Sequence, residues 1–169
     1  MSRSSRVDSV NLLLAAVCQE LQIASVLTTE VAPWCRSAVK EFDLARRLVR
    51  HAITQRTLIK RLPQSLLMLR DARVAEPGPE ALAALTAQIT DPNVRLFVDG
   101  GRLHLINRDG HWQGDDAFEV FDRFLAESSG VDASHAFYLG YELAKATTAL
   151  TLGKQYTQDQ PLNWGLLTR

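Results

Sequence analysis

Residues 94–107, Val94-Arg-Leu-Phe-Val-Asp-Gly-Gly-Arg-Leu-His-Leu-Ile-Asn107, decide the fold. Apolar and polar positions alternate on either side of Gly100-Gly101, a pair suited to the two-residue turn in which both central residues need positive φ. Asn107-Arg108-Asp109-Gly110 supplies a second turn and allows a third short strand near His111 and Trp112. The stretch therefore predicts an antiparallel hairpin or a three-stranded sheet, with His104 directed to solvent between Leu103 and Leu105.

Helical signals surround it. Asp116 and Glu119 form a capping box for a helix carrying Phe118, Phe121, Phe124 and Leu125. A longer helix spans about Ser134 to Leu152 and stops at Gly153. Upstream, Pro79 opens a short helix through Ile89 that ends at Asp91-Pro92-Asn93. Towards the N-terminus, Val10, Leu13, Leu14, Val17 and Leu21 recur as one face of a helix over residues 7–22, with Asp8 or Ser9 as cap. Ile23–Val31 is short and β-branched and reads as a buried strand stopped by Pro33. Ser37 caps a further helix with Val39, Phe42, Ala45, Val49 and Ile53 on its apolar stripe. Residues 54–79 lose periodicity and contain Pro63, Pro77 and Pro79, the mark of a connection packed by Leu66, Leu67 and Leu69.

The predicted class is α+β: a small antiparallel sheet packed with helices, preceded by a helix-strand-helix unit. Residues 1–56 form that unit, 57–90 a connection with a short helix, and 91–169 a C-terminal α+β domain.

Nineteen Lys plus Arg balance nineteen Asp plus Glu, so the charge excess of a dedicated nucleic-acid binder is missing. No apolar run approaches the roughly 20 residues of a membrane span. Cys18 and Cys35 stand apart without metal-ligand spacing. These features predict a cytoplasmic protein with no metal, no nucleic-acid partner and no membrane partner. No Ser-His-Asp order, HExxH, P-loop or Rossmann glycine pattern occurs, which lowers the expectation of a self-contained enzyme.

Candidate ligand-binding residues concentrate on the last helix. At 100° per residue, His135, Tyr138, Glu142 and Lys145 share one flank beside the apolar face of Ala136, Leu139, Leu143 and Ala146. His135 stands in the first turn, where unpaired N–H groups and the helix dipole favour a phosphate or carboxylate. Glu142 and Lys145 are equally an ordinary i,i+3 pair. The tail adds Gln158 and Asp159, suited to the edge of a pterin-like heterocycle. It also holds Tyr156, Leu162 and Trp164, the interface candidates if the tail is an arm crossing a neighbouring subunit. Arg108 and Asp109 are turn residues first and ligand contacts second. Thr29 and Glu30 fall at the carboxyl end of the predicted strand, where α/β proteins place their chemistry.

The runs DPNVRLFVDGGRLHLINRDGHWQGDDAFEVFDRF and DASHAFYLGYELAKATTALTLGKQYTQDQPLNWG resemble the C-terminal region of dihydropteroate synthase-related proteins, including its domain of unknown function. The signature is a His-Ala-x-Tyr-Leu-Gly-x-Glu-Leu-x-Lys-Ala helix, here from His135 to Ala146, with a Tyr-x-Gln-Asp tail at Tyr156, Gln158 and Asp159. The stretch from Asp8 to Leu48 is similar to the end of the pterin-binding barrel of those proteins. The resemblance implies pterin binding in tetrahydromethanopterin- or folate-type one-carbon metabolism, as in methylotrophic bacteria. It implies no required cofactor, with a pterin as the candidate ligand.

A (β/α)₈ barrel needs about 250 residues, so the resemblance also implies completion by a separate barrel subunit or by homo-oligomerisation. Transferase chemistry of the synthase type is expected only in such an assembly. The alternative is a non-enzymatic oligomerisation or ligand-sensing module. A corrinoid-associated domain, with His135 as cobalt ligand, is the third choice.

Overall fold

The computed structural model describes residues 10–32, 35–57, 68–71, 73–128 and 130–168. They divide into two compact units, one comprising residues 1–72 with 163–169 and the other Arg73–Leu162. The proposed helix caps Asp8 and Ser9, the strand stop Pro33, and Pro63, Leu66 and Leu67 of the connection lie outside the described residues.

In the first unit α1 (Val10–Glu20) packs on α2 (Ala38–Gln55). The contact is made through small side chains: Ala15 and Ala45 are buried with Val49, flanked by Leu12, Ala16 and Phe42. This reverses the expected face of α1. The stripe of large apolar residues points outward, with Val10 71%, Leu13 66% and Leu21 66% exposed. Alanines admit a close backbone approach that the bulkier stripe does not.

The strand expected over Ile23–Val31 does not form. Its residues are irregular and largely exposed, and among the described residues no neighbouring strand pairs with them; an isolated strand gains nothing from its β-branched side chains. Thr29 and Glu30 consequently occupy no strand rim. Glu30 instead accepts the Val39 N–H at 3.1 Å, satisfying a donor in the first turn of α2. The Ser37 hydroxyl makes no cap and donates to Glu41, whose other oxygen accepts from Asn11 of α1 at 2.8 Å.

The second unit is α+β. After α3 (Pro79–Gln88), β1 (Arg95–Asp99), β2 (Arg102–Asn107) and β3 (Gly110–Gly114) form an antiparallel sheet in the order β1-β2-β3, followed by α4 (Ala117–Glu127) and α5 (Ala133–Leu152). Gly100 and Gly101 have φ of 56° and 77°, the left-handed pair that the tight hairpin demands. The pairings Leu96↔Leu105, Val98↔Leu103 and Leu105↔Trp112 place five buried side chains on one face. Phe124 of α4 meets Trp112 edge-on at 5.1 Å between ring centroids, and α5 contributes buried Leu139, Leu143 and Ala146.

α4 begins as the sequence indicates, since the Asp116 carboxylate accepts the Phe118 and Glu119 N–H groups at 2.8 and 3.0 Å. Its inward line runs through Val120 and Phe124, four residues apart. Phe118 lies about 160° round the helix from Val120 and is 82% exposed.

His104 is buried, contrary to the alternation rule. Ile106, on the same face of β2, is buried as well, so both faces of the strand are covered, and the His104 ring is satisfied by His111 Nε2 at 2.9 Å and the Asp99 carbonyl at 3.2 Å. Burial, and then the neighbouring His104, push the His111 pKa down from its ordinary 6.5. A proton taken up readily by the unfolded chain is thus resisted by the fold, so stability is complete above about pH 6.5 and falls as the pH drops below it. We expect a lower Tm at about pH 5.5 than at about pH 7.5, with a smaller difference in His111→Gln. An unchanged difference in that variant would assign the effect elsewhere.

Candidate functional site

The first turn of α5, the entry to β1 and the turn after residue 157 converge on a cleft of about 310 Å³, lined by Asn93, Val94, Arg95, His135, Tyr138, Gln158 and Asp159. Local sequence sets each part. Asp132 caps α5 by accepting the His135 N–H at 2.7 Å, which fixes the turn carrying His135 and Tyr138. The two rings stand 6.2 Å apart at 35°, a shallow aromatic wall. Asp159 adopts a left-handed φ of 64°, rare outside glycine but tolerated by Asp, which turns its carboxylate towards Tyr138.

The Tyr138 hydroxyl donates to Asp159 Oδ1 at 2.7 Å and accepts from Gln158 Nε2 at 2.8 Å. Burial raises the Tyr138 pKa and the Asp159 charge adds to this, so the phenol stays a donor. Gln158 Oε1 also accepts the Leu96 N–H at 2.8 Å, and Nε2 donates to the Val94 carbonyl at 3.0 Å. The side-chain amide therefore serves the outer edge of β1 as a short length of neighbouring strand does. Gln158 lines the cleft, but its amide is committed to the fold rather than free for a heterocycle.

Sequence reasoning missed Asn93, Val94 and Arg95, and of these Arg95 carries the charge. Its guanidinium grips Asp91 twice, Nη2 to Oδ2 at 2.8 Å and Nη1 to Oδ1 at 3.1 Å, and Nη1 also donates to the Asn93 carbonyl at 3.0 Å. The hydrogen bond from Arg95 holds the Asp91 carboxyl below its usual range. Among the described residues, the Nε–H and one Nη2–H of Arg95 have no protein acceptor, and Asp159 Oδ2 has no protein donor. The Asp91-Pro92-Asn93-x-Arg95 spacing, which folds an arginine back on the preceding turn, is the signal that marks this residue.

Glu142 and Lys145 lie deeper on α5 than the cleft. Glu142 is 2% exposed, accepts the Tyr156 hydroxyl at 2.7 Å and pairs with Lys145 Nζ at 2.7 Å. Lys145 also donates to the Gln160 carbonyl at 3.0 Å. Burial drives the Tyr156 pKa far upward, with the Glu142 carboxylate reinforcing it, so the phenol is a permanent donor. This triad ties the tail to α5.

Tyr156 and Leu162, expected as interface anchors, are buried within their own unit at 7% and 5% exposure, whereas Trp164 belongs to the other unit. Arg108 and Asp109 remain turn residues: Asn107 Oδ1 accepts the Asp109 and Gly110 N–H groups, and Asp109 accepts from Ser128 at 3.0 Å. The anion site expected at the start of α5 already holds the carboxylate of Asp132.

Fold and cleft define a small α+β module with a polar cleft at one end of its sheet. Residues 91–159, which contain every residue lining that cleft, match the family model PterinBD-DUF4346. The match supports the resemblance of the C-terminal region to a pterin-binding-related domain of unknown function, and points to a pterin-related role. The chain is also 25% identical to an uncharacterized protein of Methanocaldococcus jannaschii over 169 residues, 90% of this chain and 32% of the relative. It thus spans about a third of the length of the curated relative it matches. No solved structure matches. No described helix is long and apolar enough to cross a membrane.

Proposed function

We propose that the chain is the C-terminal portion or subunit of a dihydropteroate synthase-like protein of tetrahydromethanopterin- or folate-type one-carbon metabolism in the cytoplasm. Its sheet unit holds a pterin in the cleft and does not catalyse alone. The observation that carries this reading is the convergence of Asp159, Arg95, Tyr138 and His135 on one cleft inside the matched segment. A pterin's 2-amino-4-oxo edge presents adjacent N–H donors and a carbonyl oxygen. Asp159 Oδ2 suits the donors, the free N–H groups of Arg95 suit the carbonyl, and the His135–Tyr138 wall suits the flat ring. At about 310 Å³ the cleft fits a bicyclic ring.

Fluorescence titration with 6-hydroxymethyl-7,8-dihydropterin tests this directly. We expect saturable binding, weakened at least about tenfold in Asp159→Asn, a loss of about 1.4 kcal/mol or more. Absence of saturable binding to the native chain would contradict it.

A second reading, partner binding, is favoured by the outward stripe of α1 together with Leu27 at 94% and Val31 at 89% exposure. Apolar surface of that extent is normally covered by another chain. On this reading the first unit docks on a separate barrel subunit or on a second copy. Light scattering on the purified chain should then show an oligomer that Leu13→Asp dissociates; a monodisperse monomer that stays monomeric with a co-expressed barrel would oppose it.

A further inference from the structure

The charges around the cleft bear on which pterins it takes. This inference rests on the pterin reading above and deepens it. Arg95 is the cation of the lining, and Asp91 neutralises it through two parallel hydrogen bonds. What remains of Arg95 is a pair of N–H donors whose charge is already matched. The start of α5, the other attraction for an anion, is occupied by the Asp132 carboxylate at 2.7 Å from the His135 nitrogen. Facing the cleft is a third carboxylate, Asp159, oriented by Tyr138. An incoming phosphate would thus meet one neutralised arginine and the Asp159 carboxylate, and neither Asp159 nor the capping Asp132 forms an ion pair among the described residues.

We infer that the cleft selects an uncharged 2-amino-4-oxo heterocycle and rejects its phosphate and pyrophosphate esters. The ring's N–H edge satisfies Asp159, and its carbonyl takes the donors of Arg95 without adding charge. A phosphorylated side arm brings negative charge next to Asp159, at a helix start already capped by Asp132, while the one guanidinium among the described lining residues is paired with Asp91. The module therefore serves a pterin that carries no phosphate, a different species from the activated pyrophosphate that synthase chemistry consumes.

The test compares 6-hydroxymethyl-7,8-dihydropterin with its pyrophosphate ester by calorimetric titration of the full chain, with inorganic pyrophosphate as a competitor. We expect the ester to bind at least about tenfold more weakly than the free alcohol, and inorganic pyrophosphate not to displace the alcohol. Asp91→Asn keeps the side chain's size and one of the two acceptors for Arg95 while removing the charge that neutralises it, and should raise the affinity for the ester severalfold. Asp132→Asn retains a competent helix cap and should act in the same direction. Thermal melts of both variants separate this gain from loss of fold. Equal or tighter binding of the ester by the native chain overturns the selectivity and leaves the pterin reading standing. Failure of both ligands to bind overturns the two together.

Discussion

Glu142→Ala should cost the second unit about 3–5 kcal/mol, the range found when one partner of a buried charged pair is removed. The carboxylate is 2% exposed and receives both the Tyr156 hydroxyl and the Lys145 ammonium. Its removal leaves a buried phenol without an acceptor and strands a cation that is itself largely covered. Tyr156→Phe deletes only one hydrogen bond to a charged acceptor and should cost about 1.5–3 kcal/mol. Urea unfolding of both, with the double variant closing the cycle, measures the coupling. Equal small losses for the two single variants would show that the triad contributes little. Because Tyr156 lies two residues from Gln158 and three from Asp159, the damage should also reach the cleft.

Phe124→Ala should be comparably severe. The ring is fully buried, packs edge-on against Trp112 at 5.1 Å and lies 5.9 Å from Phe121. Truncation removes the aromatic contact and opens a cavity between α4 and the sheet, a change that costs about 3–5 kcal/mol in well-packed cores. For a unit of this size each kcal/mol lowers Tm by about 4–8 °C, so the variant should melt more than about 12 °C below the native chain. Phe118→Ala, at an 82% exposed position on the same helix, should leave Tm nearly unchanged and serves as the control.

Local chemistry was legible where it alone decides the structure. The Gly100-Gly101 turn, the Asp116 cap, the Pro79 start of α3 and the Gly153 stop follow from backbone preferences that act within a few residues, and the structure has them all. Features settled by distant partners were misread. Ile23–Val31 has the composition of a strand but nothing to pair with. α1 buries alanines because α2 offers Ala45 as its contact, and no periodicity argument sees that choice. His104 obeys the alternation rule in sequence and escapes it in space because both faces of β2 are covered.

The same division runs through the site. Spacing on one helix placed His135 and Tyr138 together, and the tail supplied Gln158 and Asp159. The ring of contacts that makes them a cleft joins residues more than 60 positions apart, as in Leu96 with Gln158. That long-range closure also consumes the Gln158 amide, gives Glu142 and Lys145 a buried structural task, and brings in Arg95.

A pterin bound between β1, α5 and the turn at Asp159 would perturb the backbone amides that line the cleft. Amide NMR of the full chain, recorded during titration with 6-hydroxymethyl-7,8-dihydropterin, tests it most directly. Saturable shift changes are expected, centred on residues 93–95, 135–138 and 158–159, with the midpoint raised at least about tenfold in Asp159→Asn and with Thr29, Glu30, Arg108 and Asp109 unmoved. Shifts confined to other residues, or no shifts at saturating pterin, would contradict it.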